Sequence, residues 1–542
     1  MNKFFTQIVE SRGLSDDFLH PKYEKLEDPE KLPDMKKAVD RIKKAVKNRE
    51  KVLVYGDYDV DGVTASTLME QALKMAGLEQ IEIMLPDRFI DGYGMSPRLI
   101  ERAKNNQITL VITVDCGSRN HDIVNELKEL KIDTIVTDHH ECEDTVPEAV
   151  AVINPHRKDY KGPETLKNLA GVGVAFKVAQ GLVKAGLIEE GKEKWLLDLV
   201  LLGTICDSMT ITKENRILTY FGKIVLSKTR RRGLIELMKT AGVKTVTSEA
   251  IGFQIGPRLN AAGRLDTAEI SLNLLRATSG PEAAKSAAKL EELNKNRRDE
   301  QRAATREIAE KLKENPEDSP VIIETGEWHE GILGIVAGRL VEDFHKPAFV
   351  LSEVGDGIFK GSGRSFGEFN LADALASVSD IIEGGGGHAA AAGVQIKREN
   401  LYKFRERMNE YYNSLGLGDQ SRFFRKTADL DIETLGDFDL KLIEDLESLE
   451  PFGVGNEEPI FCLKHAEIAE FKKMGADENH LRIDLKGKDG QIIKSVAFFA
   501  PKHWFNLYDD QPYDFLIKPT LNEWNGVRSV EARLIDIREP EY

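Results

Sequence analysis

The chain has 542 residues, 41% hydrophobic and 31% charged, with a formal net charge of −16. That length exceeds a single hydrophobic core and requires three or four domains, and the composition excludes disordered and fibrous classes. The N-terminus has no secretory apolar run, no stretch reaches the roughly 18 apolar residues of a membrane span, and Cys116, Cys142, Cys206 and Cys462 lack CxxC spacing. The expectation is a soluble cytoplasmic protein with reduced thiols. The acidic balance argues against a nucleic-acid partner only weakly, because carboxylates that hold divalent cations form a locally positive site once loaded.

Residues 1–48 read as a helical segment ending in the amphipathic stretch Met35–Lys47. From Lys51 to about Asp207 strand and helix signals alternate. Val52–Tyr55, Leu110–Val114 and Thr134–Thr137 are apolar runs of strand type, and Val63–Met75 has helical spacing. This alternation predicts βαβ units and a mainly parallel sheet. Ser279 can cap a long helix with Pro281 in its first turn, and Ala304, Ile308 and Leu312 keep one face apolar until Asn315-Pro316. A second mixed domain spans about Val321–Leu415. Strand runs such as Ser495–Phe499 and Tyr513–Ile517 then suit a small β-barrel. The expected domains are 1–48, 49–230, 231–318, 319–418 and 419–542.

Each of the three strands runs directly into acids or imidazoles: Gly56-Asp57-Tyr58-Asp59-Val60-Asp61-Gly62, Asp115-Cys116-Gly117 and Asp138-His139-His140. Residues just past the strand ends of an open parallel sheet converge on one crevice. Carboxylates and imidazoles gathered there can hold two divalent cations, which activate a water and stabilise both oxygens of a phosphoryl displacement.

The segments VYGDYDVDGVTAS, TVDCGS, TDHHE and TICDS resemble, in order and spacing, the four metal motifs of the DHH phosphoesterase superfamily. The resemblance implies that Asp57, Asp59, Asp115, His139 and Asp207 are metal ligands for Mn2+, the preferred ion, or Mg2+. Asp115 would bridge the two ions and His140 would lie beside the scissile phosphate, with Asp115, His140 and Asp57 as the catalytic group. Many relatives carry a histidine two residues before the first aspartate. Here Tyr55 stands in that place, and a phenol is a poor ligand near neutral pH, so one metal is expected to take an extra water or bind more weakly.

Further segments resemble the RecJ branch. Gly256–Arg264 supplies Arg258, Asn260 and Arg264, suited to phosphate oxygens unless nearby carboxylates claim the guanidinium groups. Trp328–Arg339 offers His329 and a helix start at Gly331–Gly334 whose free N–H groups could meet an anion. Gly361–Ser365 and Gly384–Gly393 resemble the DHH-associated domain, which implies that Ser362 and Arg364 hold a 5′-terminal phosphate and that His388 lies near the cleaved nucleotide. Four consecutive glycines forfeit entropy on folding, which favours close approach to a nucleotide over a flexible turn. Arg88 either reaches the active-site phosphate or forms a surface ion pair. Pro451–Phe461 resembles the entry to the RecJ OB-fold, where Phe498, Phe499, Trp504 and Trp524 are available aromatics, at least half of them core. Arg230–Arg232 and Arg297-Arg298 read as solvated faces or DNA contacts.

The fold class implied is α/β: a parallel-sheet DHH domain joined by a long helix to a second α/β, DHH-associated domain, plus a C-terminal OB-fold barrel. The function implied is 5′-to-3′ hydrolysis of single-stranded DNA to 5′-mononucleotides in repair and recombination. The expected form is a monomer, not membrane-bound, with a helicase or single-strand-binding protein as a candidate partner. Two other readings stand beside it: a phosphodiesterase of short oligonucleotides or cyclic dinucleotides, and a non-catalytic replication scaffold.

Overall fold

The computed structural model describes residues 1–314, 319–475, 478–507, 511–524 and 526–539. Five short strands, β1 (Val52–Tyr55), β2 (Ile81–Met84), β3 (Leu110–Val114), β4 (Asp133–Thr137) and β5 (Ala151–Ile153), form a parallel sheet in the order β2-β1-β3-β4-β5. Strand alternation splits β1 between two cores. Val52 and Val54 pack with helices Met35–Asn48, Val60–Met75 and Gly171–Lys184, whereas Leu53 and Tyr55 pack with helices Pro97–Asn105 and His121–Glu129. Both sheet faces are therefore covered by helices, as a parallel sheet requires. The mixed composition of Ile81-Glu82-Ile83-Met84 hides β2 from a search for apolar runs.

The long helix is Gly280–Glu314. Ser279 Oγ accepts from the Glu282 amide at 3.4 Å while the Glu282 carboxylate accepts from the Ser279 amide at 3.2 Å, a reciprocal cap. The Asn315-Pro316 stop expected for it lies outside the described residues. The second lobe is a mixed sheet, β6 (Ile322–Gly326), β7 (Ala348–Gly355), β8 (Ile358–Arg364), β9 (Gly384–Gly387) and β10 (Ala391–Lys397), in the order β6-β7-β8-β10-β9. The four glycines are thus an edge strand, with Gly386 opposite Gly393 and Gly393 in turn opposite Ser362.

The C-terminal lobe contains β11 (Leu430–Ile432), β12 (Phe461–Met474), β13 (His480–Lys486), β14 (Ile492–Ala497), β15 (Tyr513–Trp524) and β16 (Val527–Arg538). They run in the order β11-β12-β13-β14-β16-β15, and β15 also pairs with β12. Phe498, Phe499 and Trp524 are exposed, whereas Trp504 is buried in this core.

The N-terminal segment does not form a unit of its own. Phe4, Phe5 and Ile8 lie in the core of the C-terminal lobe, and Met35, Ala38 and Ile42 in that of the parallel sheet. Between the two lobes Arg216, 1% exposed, donates to the carbonyls of Phe18, Leu449 and Ser448 at 3.1, 2.9 and 3.0 Å. Asn456 fastens the same corner by donating to the Leu449 and Pro451 carbonyls.

A charged donor to three carbonyls stabilises more than any of the neutral bonds around it. Arg216→Leu keeps the apolar volume and removes the donors, so it is expected to lower stability by about 2–4 kcal/mol in urea unfolding. An unchanged midpoint would show that apolar packing alone holds this corner.

Candidate metal and phosphate site

The C-terminal ends of β1, β3 and β4 deliver the acids. Asp57 and Asp59 follow β1, and Asp59 caps helix Val60–Met75 by accepting from the Gly62 amide at 3.0 Å. Asp115 follows β3 with φ 63°, a left-handed conformation that aspartate tolerates better than most residues. Asp138, His139 and His140 follow β4, and Asp207 ends helix Leu197–Cys206. The elements meet closely: a Cβ on Gly171 would lie 2.5 Å from the Asp115 Cβ, and one on Gly62 would lie 2.5 Å from the Asp57 amide nitrogen. Glycine at both places allows helix and strand ends to close around the carboxylates.

Three overlapping groups result: Asp57, Asp59 and Asp115; Asp115, His139 and His140; and Asp61, His139 and Asp207, with ligand atoms within 4.8 Å of one another in each. Asp115 and His139 each belong to two groups, and His139 Nε2 stands 3.1 Å from Asp115 Oδ1 and 3.6 Å from Asp207 Oδ2. All five expected ligands are therefore brought together.

One member, Asp61, and one residue that supports the groups, Asp138, were not named as expected ligands. Asp61 is buried and accepts from the Gly171 and Val172 amides at 2.6 and 2.9 Å, so it docks the start of helix Gly171–Lys184 onto the site. Asp138 accepts from His140 Nδ1 at 2.8 Å and from the Ser118 amide at 3.0 Å. Its place at the head of Asp-His-His was the available signal. The partners of Asp61 stand 110 and 111 residues away in sequence, beyond the reach of any local pattern.

Burial pushes Asp57 up to about 8, Asp61 to about 7 and Asp207 to about 8, and neighbouring carboxylates add to the rise in each. Asp115 is raised well above its ordinary value by burial and then by Asp61, Asp59, Asp57 and Asp207. The histidines diverge. Burial, with His140 beside it, holds His139 down at about 3, so its ring is neutral and free to ligate. Burial alone would lower His140, but Asp138 and the surrounding acids lift it to about 9.

The buried Asp115 Oδ1 accepts no hydrogen bond. Two like charges 4 Å apart repel by about 4 kcal/mol at an effective dielectric of 20, several times the net value of one hydrogen bond. The donor set of carboxylate oxygens and a neutral imidazole fits two divalent cations of the Mn2+ and Mg2+ kind, which would be held by Asp57, Asp59, Asp115, His139 and Asp207.

Tyr55, expected to be a poor ligand, takes no part in the acid cluster. Its ring is packed on the far core of the sheet and its hydroxyl donates to the Gly94 carbonyl at 2.9 Å, so it stands in for no ligand.

The phosphate-binding candidates divide. A cleft of about 470 Å³ between the first two lobes is lined by Arg88 and Phe89 on one side and by Lys360, Ser362, Gly384, Gly385, Gly386 and Gly393 on the other. A Cβ on Gly384 or Gly386 would meet no atom within 4 Å, so packing within the protein does not demand glycine there. Arg364 donates to Ser362 Oγ at 3.0 Å. Arg88 lies over the Tyr58 ring, and Arg264 donates to the Gly331 carbonyl. Burial, with the guanidinium groups of Arg88, Arg297 and Arg364 nearby and only Asp59 opposing them, pushes Arg264 down to about 9.

Asn260 accepts from the Val60 amide at 3.2 Å, between this cluster and the acids. His329 accepts from the Gly331 amide at 3.1 Å and packs edge-on to Phe89, so it caps the helical entry there. Two candidates fall outside the cluster. Arg258 donates to Glu291 at 2.5 Å and to the Gln254 carbonyl at 2.6 Å, so in this structure a carboxylate claims its guanidinium. His388 occupies the exposed turn after β9. Of the other arginines, Arg231 is bound to the buried Asp198 and Arg230 lies over Trp195.

An acid whose folded pKa is raised destabilises the native state as pH climbs from its unfolded value through its folded one. A histidine raised to about 9 likewise loses its stabilising contribution as pH rises through that value. Asp57, Asp61, Asp207 and His140 thus act in the same direction between pH 6.5 and 9. The metal-free protein is expected to melt at progressively lower temperature over that range. Mn2+ at one fixed concentration, a hundredfold over its dissociation constant at pH 6.5, should restore about 2.7 kcal/mol there and more at pH 8.5, where fewer protons compete for the carboxylates. A melting temperature that increases with pH would contradict the clustering.

Comparison with known proteins gives a consistent answer along the chain. The DHH family N-terminal domain matches residues 51–204, the DHHA1 domain residues 318–414 and the RecJ OB domain residues 429–536. The single-stranded-DNA-specific exonuclease RecJ of Bacillus subtilis is 34% identical over 97% of this chain, which spans 66% of that relative's length. The RecJ proteins of Haemophilus influenzae and Escherichia coli are 33% and 32% identical, each over 94% of this chain and 92% and 91% of their own lengths. Among solved structures, RecJ of Thermus thermophilus in complex with Mn2+ superposes with a TM-score of 0.84 at 28% identity, over 100% of this chain and 76% of that one. The same Thermus protein in complex with Mg2+ gives 0.78 at 24% identity, a likeness of fold. With these three domain matches and relatives more than 30% identical along nearly all of its length, the chain belongs to the RecJ exonuclease family of the DHH phosphoesterases.

Proposed function

We propose that this chain hydrolyses single-stranded DNA from its 5′ end to 5′-mononucleotides, in repair and recombination. The observation that carries the reading is the union of two unlike sites at one opening between lobes. Buried carboxylates and imidazoles on the parallel sheet lie beside arginines, a serine and bare backbone from the second lobe.

Divalent cations bound to the acids supply a lowered pKa for water and charge compensation at the phosphoryl oxygens. The chain's own residues do the rest. His140, cationic below about pH 9 and anchored by Asp138, offers positive charge and a proton beside the scissile phosphate. Arg88, Arg264 and Arg364 fix phosphates in register without reading sequence, and Ser362 joins Arg364 in holding the 5′-terminal phosphate. The glycine edge strand lets the sugar–phosphate chain approach the sheet closely.

Action on short oligonucleotides or cyclic dinucleotides leaves the C-terminal barrel lobe unexplained, because so small a substrate needs no strand-tracking surface. A non-catalytic scaffold is disfavoured by the intact ligand set. Supply of the strand by a helicase or single-strand-binding protein, action as a monomer, and a cytoplasmic location belong to the same proposal. No helix among the described residues is long and apolar enough to cross a membrane.

Two experiments test the reading. Timed digestion of 5′-labelled and 3′-labelled single strands with Mn2+ should release labelled mononucleotide at once from the 5′ label only. EDTA should abolish it, and Asp115→Asn should reduce it by roughly a thousandfold or more. Early release from the 3′ label would reverse the polarity, and cleavage confined to two- to five-mers would favour the small-substrate alternative. Arg364→Ala should raise KM about tenfold for 5′-phosphorylated strands, within the range of one lost charge-assisted contact, and much less for strands with a 5′-hydroxyl. Equal effects on both would remove Arg364 from the terminal-phosphate site.

A further inference from the structure

Helix Gly256–Leu265 continues backwards, without a break, into a single π-helical turn, Ile251–Ile255. In that turn Ile251 and Ile255 are 1% and 0% exposed, whereas Phe253 is 79% exposed, the highest exposure of any phenylalanine among the described residues. Single apolar residues on a surface are common and carry nothing by themselves. The order of features along this continuous rod carries more.

At its far end Arg264 donates to the Gly331 carbonyl and lies in the guanidinium cluster with Arg88 and Arg364. One turn back, Asn260 accepts from the Val60 amide at the first acid motif. A further turn back, a Cβ on Gly256 would lie 2.5 Å from the sulfur of Cys206, the residue before Asp207. Phe253 comes next, about 10 Å beyond Asn260 at the rise of a helix. Immediately before the π-helical turn the chain meets the C-terminal lobe: Ser248 donates to Glu450 at 2.7 Å and accepts from the Phe452 amide at 2.6 Å, and Glu249 pairs with Arg533 at 3.3 Å. Anion cluster, acids, Phe253 and barrel lobe therefore succeed one another along one line.

We infer that Phe253 is a base-stacking residue, holding an unpaired nucleobase of the strand on the barrel side of the acid cluster. The inference rests on the single-strand exonuclease reading above. A strand with its terminal phosphate at the arginines and its scissile bond over the acids continues past Phe253 toward the barrel. Every base has a π-face, so one aromatic ring holds the strand irrespective of sequence. An interruption of regular helix such as this π turn frequently marks a functional position.

The test uses the full chain and strands carrying 2-aminopurine at successive positions from the 5′ end, with hydrolysis blocked by Asp115→Asn. Stacking on Phe253 predicts a fluorescence change confined to one or two adjacent positions, lost in Phe253→Ala and Phe253→Leu and retained in Phe253→Trp. In the otherwise wild-type enzyme, Phe253→Ala should raise KM for long strands about tenfold, within the range of one base–aromatic stack, with kcat and melting temperature held. Phe253→Trp should restore KM. A wild-type enzyme that degrades single strands while Phe253→Ala leaves both KM and the fluorescence pattern unchanged overturns the stacking role alone. A wild-type protein that neither binds nor cuts single strands overturns this inference together with the reading beneath it.

Discussion

The mutual repulsion of buried carboxylates at the ends of three parallel strands is the constraint on which the rest of the molecule depends. Asp57, Asp61 and Asp115 are each under 5% exposed, and Asp59 and Asp207 stand close by. Close-packed anions of this kind are tolerated only where each is held in place and an external charge compensates them. The chain supplies the holding through backbone amides: Gly62 to Asp59, Tyr58 to Asp57, and, from far along the sequence, Gly171 and Val172 to Asp61. It leaves Asp115 Oδ1 without a donor. The sheet thus builds a preorganised demand for divalent cations, and the folded core on both of its faces bears the energetic cost of that demand.

Two adjacent histidines illustrate how position sets chemistry. His139 and His140 differ by one residue, with ring centroids 4.5 Å apart, yet one is held neutral and the other cationic. The difference is the bond to Asp138, which only His140 Nδ1 makes. A neutral imidazole serves as a ligand, and a cationic one serves beside a phosphate. Like logic reconciles a net charge of −16 with a polyanionic substrate. Much of the cationic surface is neutralised in ion pairs, as at Arg407 with Asp380, while Arg88, Arg264, Arg297 and Arg364 gather beside the cleft. A total charge says little about a field that is arranged locally.

The site was legible where its chemistry is contiguous in sequence. Strand-to-acid junctions, the Asp-His-His run and the glycine-rich segments each announce themselves within a few residues, and the structure brings those acids together. What could not be read depended on distant partners. Arg258 and Arg264 look alike in Gly256–Arg264, but Glu291, 33 residues on, captures the first and leaves the second to the cationic cluster. Tyr55 occupies a suggestive position two residues before Asp57, but strand alternation sends its ring to the opposite core. Phe4, Phe5 and Ile8 form an ordinary amphipathic helix whose apolar face fits a core more than 400 residues away. Periodicity can identify such a face but not what it will cover.

Packed helices carry the contacts between the first two lobes. Helix Gly256–Leu265 bears Asn260 against the acids and Arg264 against the second lobe. Its neighbour Gly280–Glu314 runs on to the second lobe, where Ala304 and Ile308 join the core of helix Leu333–Phe344 and β7. Close approach is enforced at the seam: a Cβ on Gly331 would fall 1.8 Å from the Arg264 carbonyl oxygen, and one on Gly334 would fall 2.7 Å from the Arg364 guanidinium. Such contacts leave little slack between the acids and the arginines. On the proposed function, a phosphodiester bound across the seam would meet the arginines and the acids at a distance set by packed helices, and that spacing would determine which phosphate lies over the acids. Release of one nucleotide at a time would, on the same proposal, follow from the scaffold's rigidity as much as from the ligands it displays.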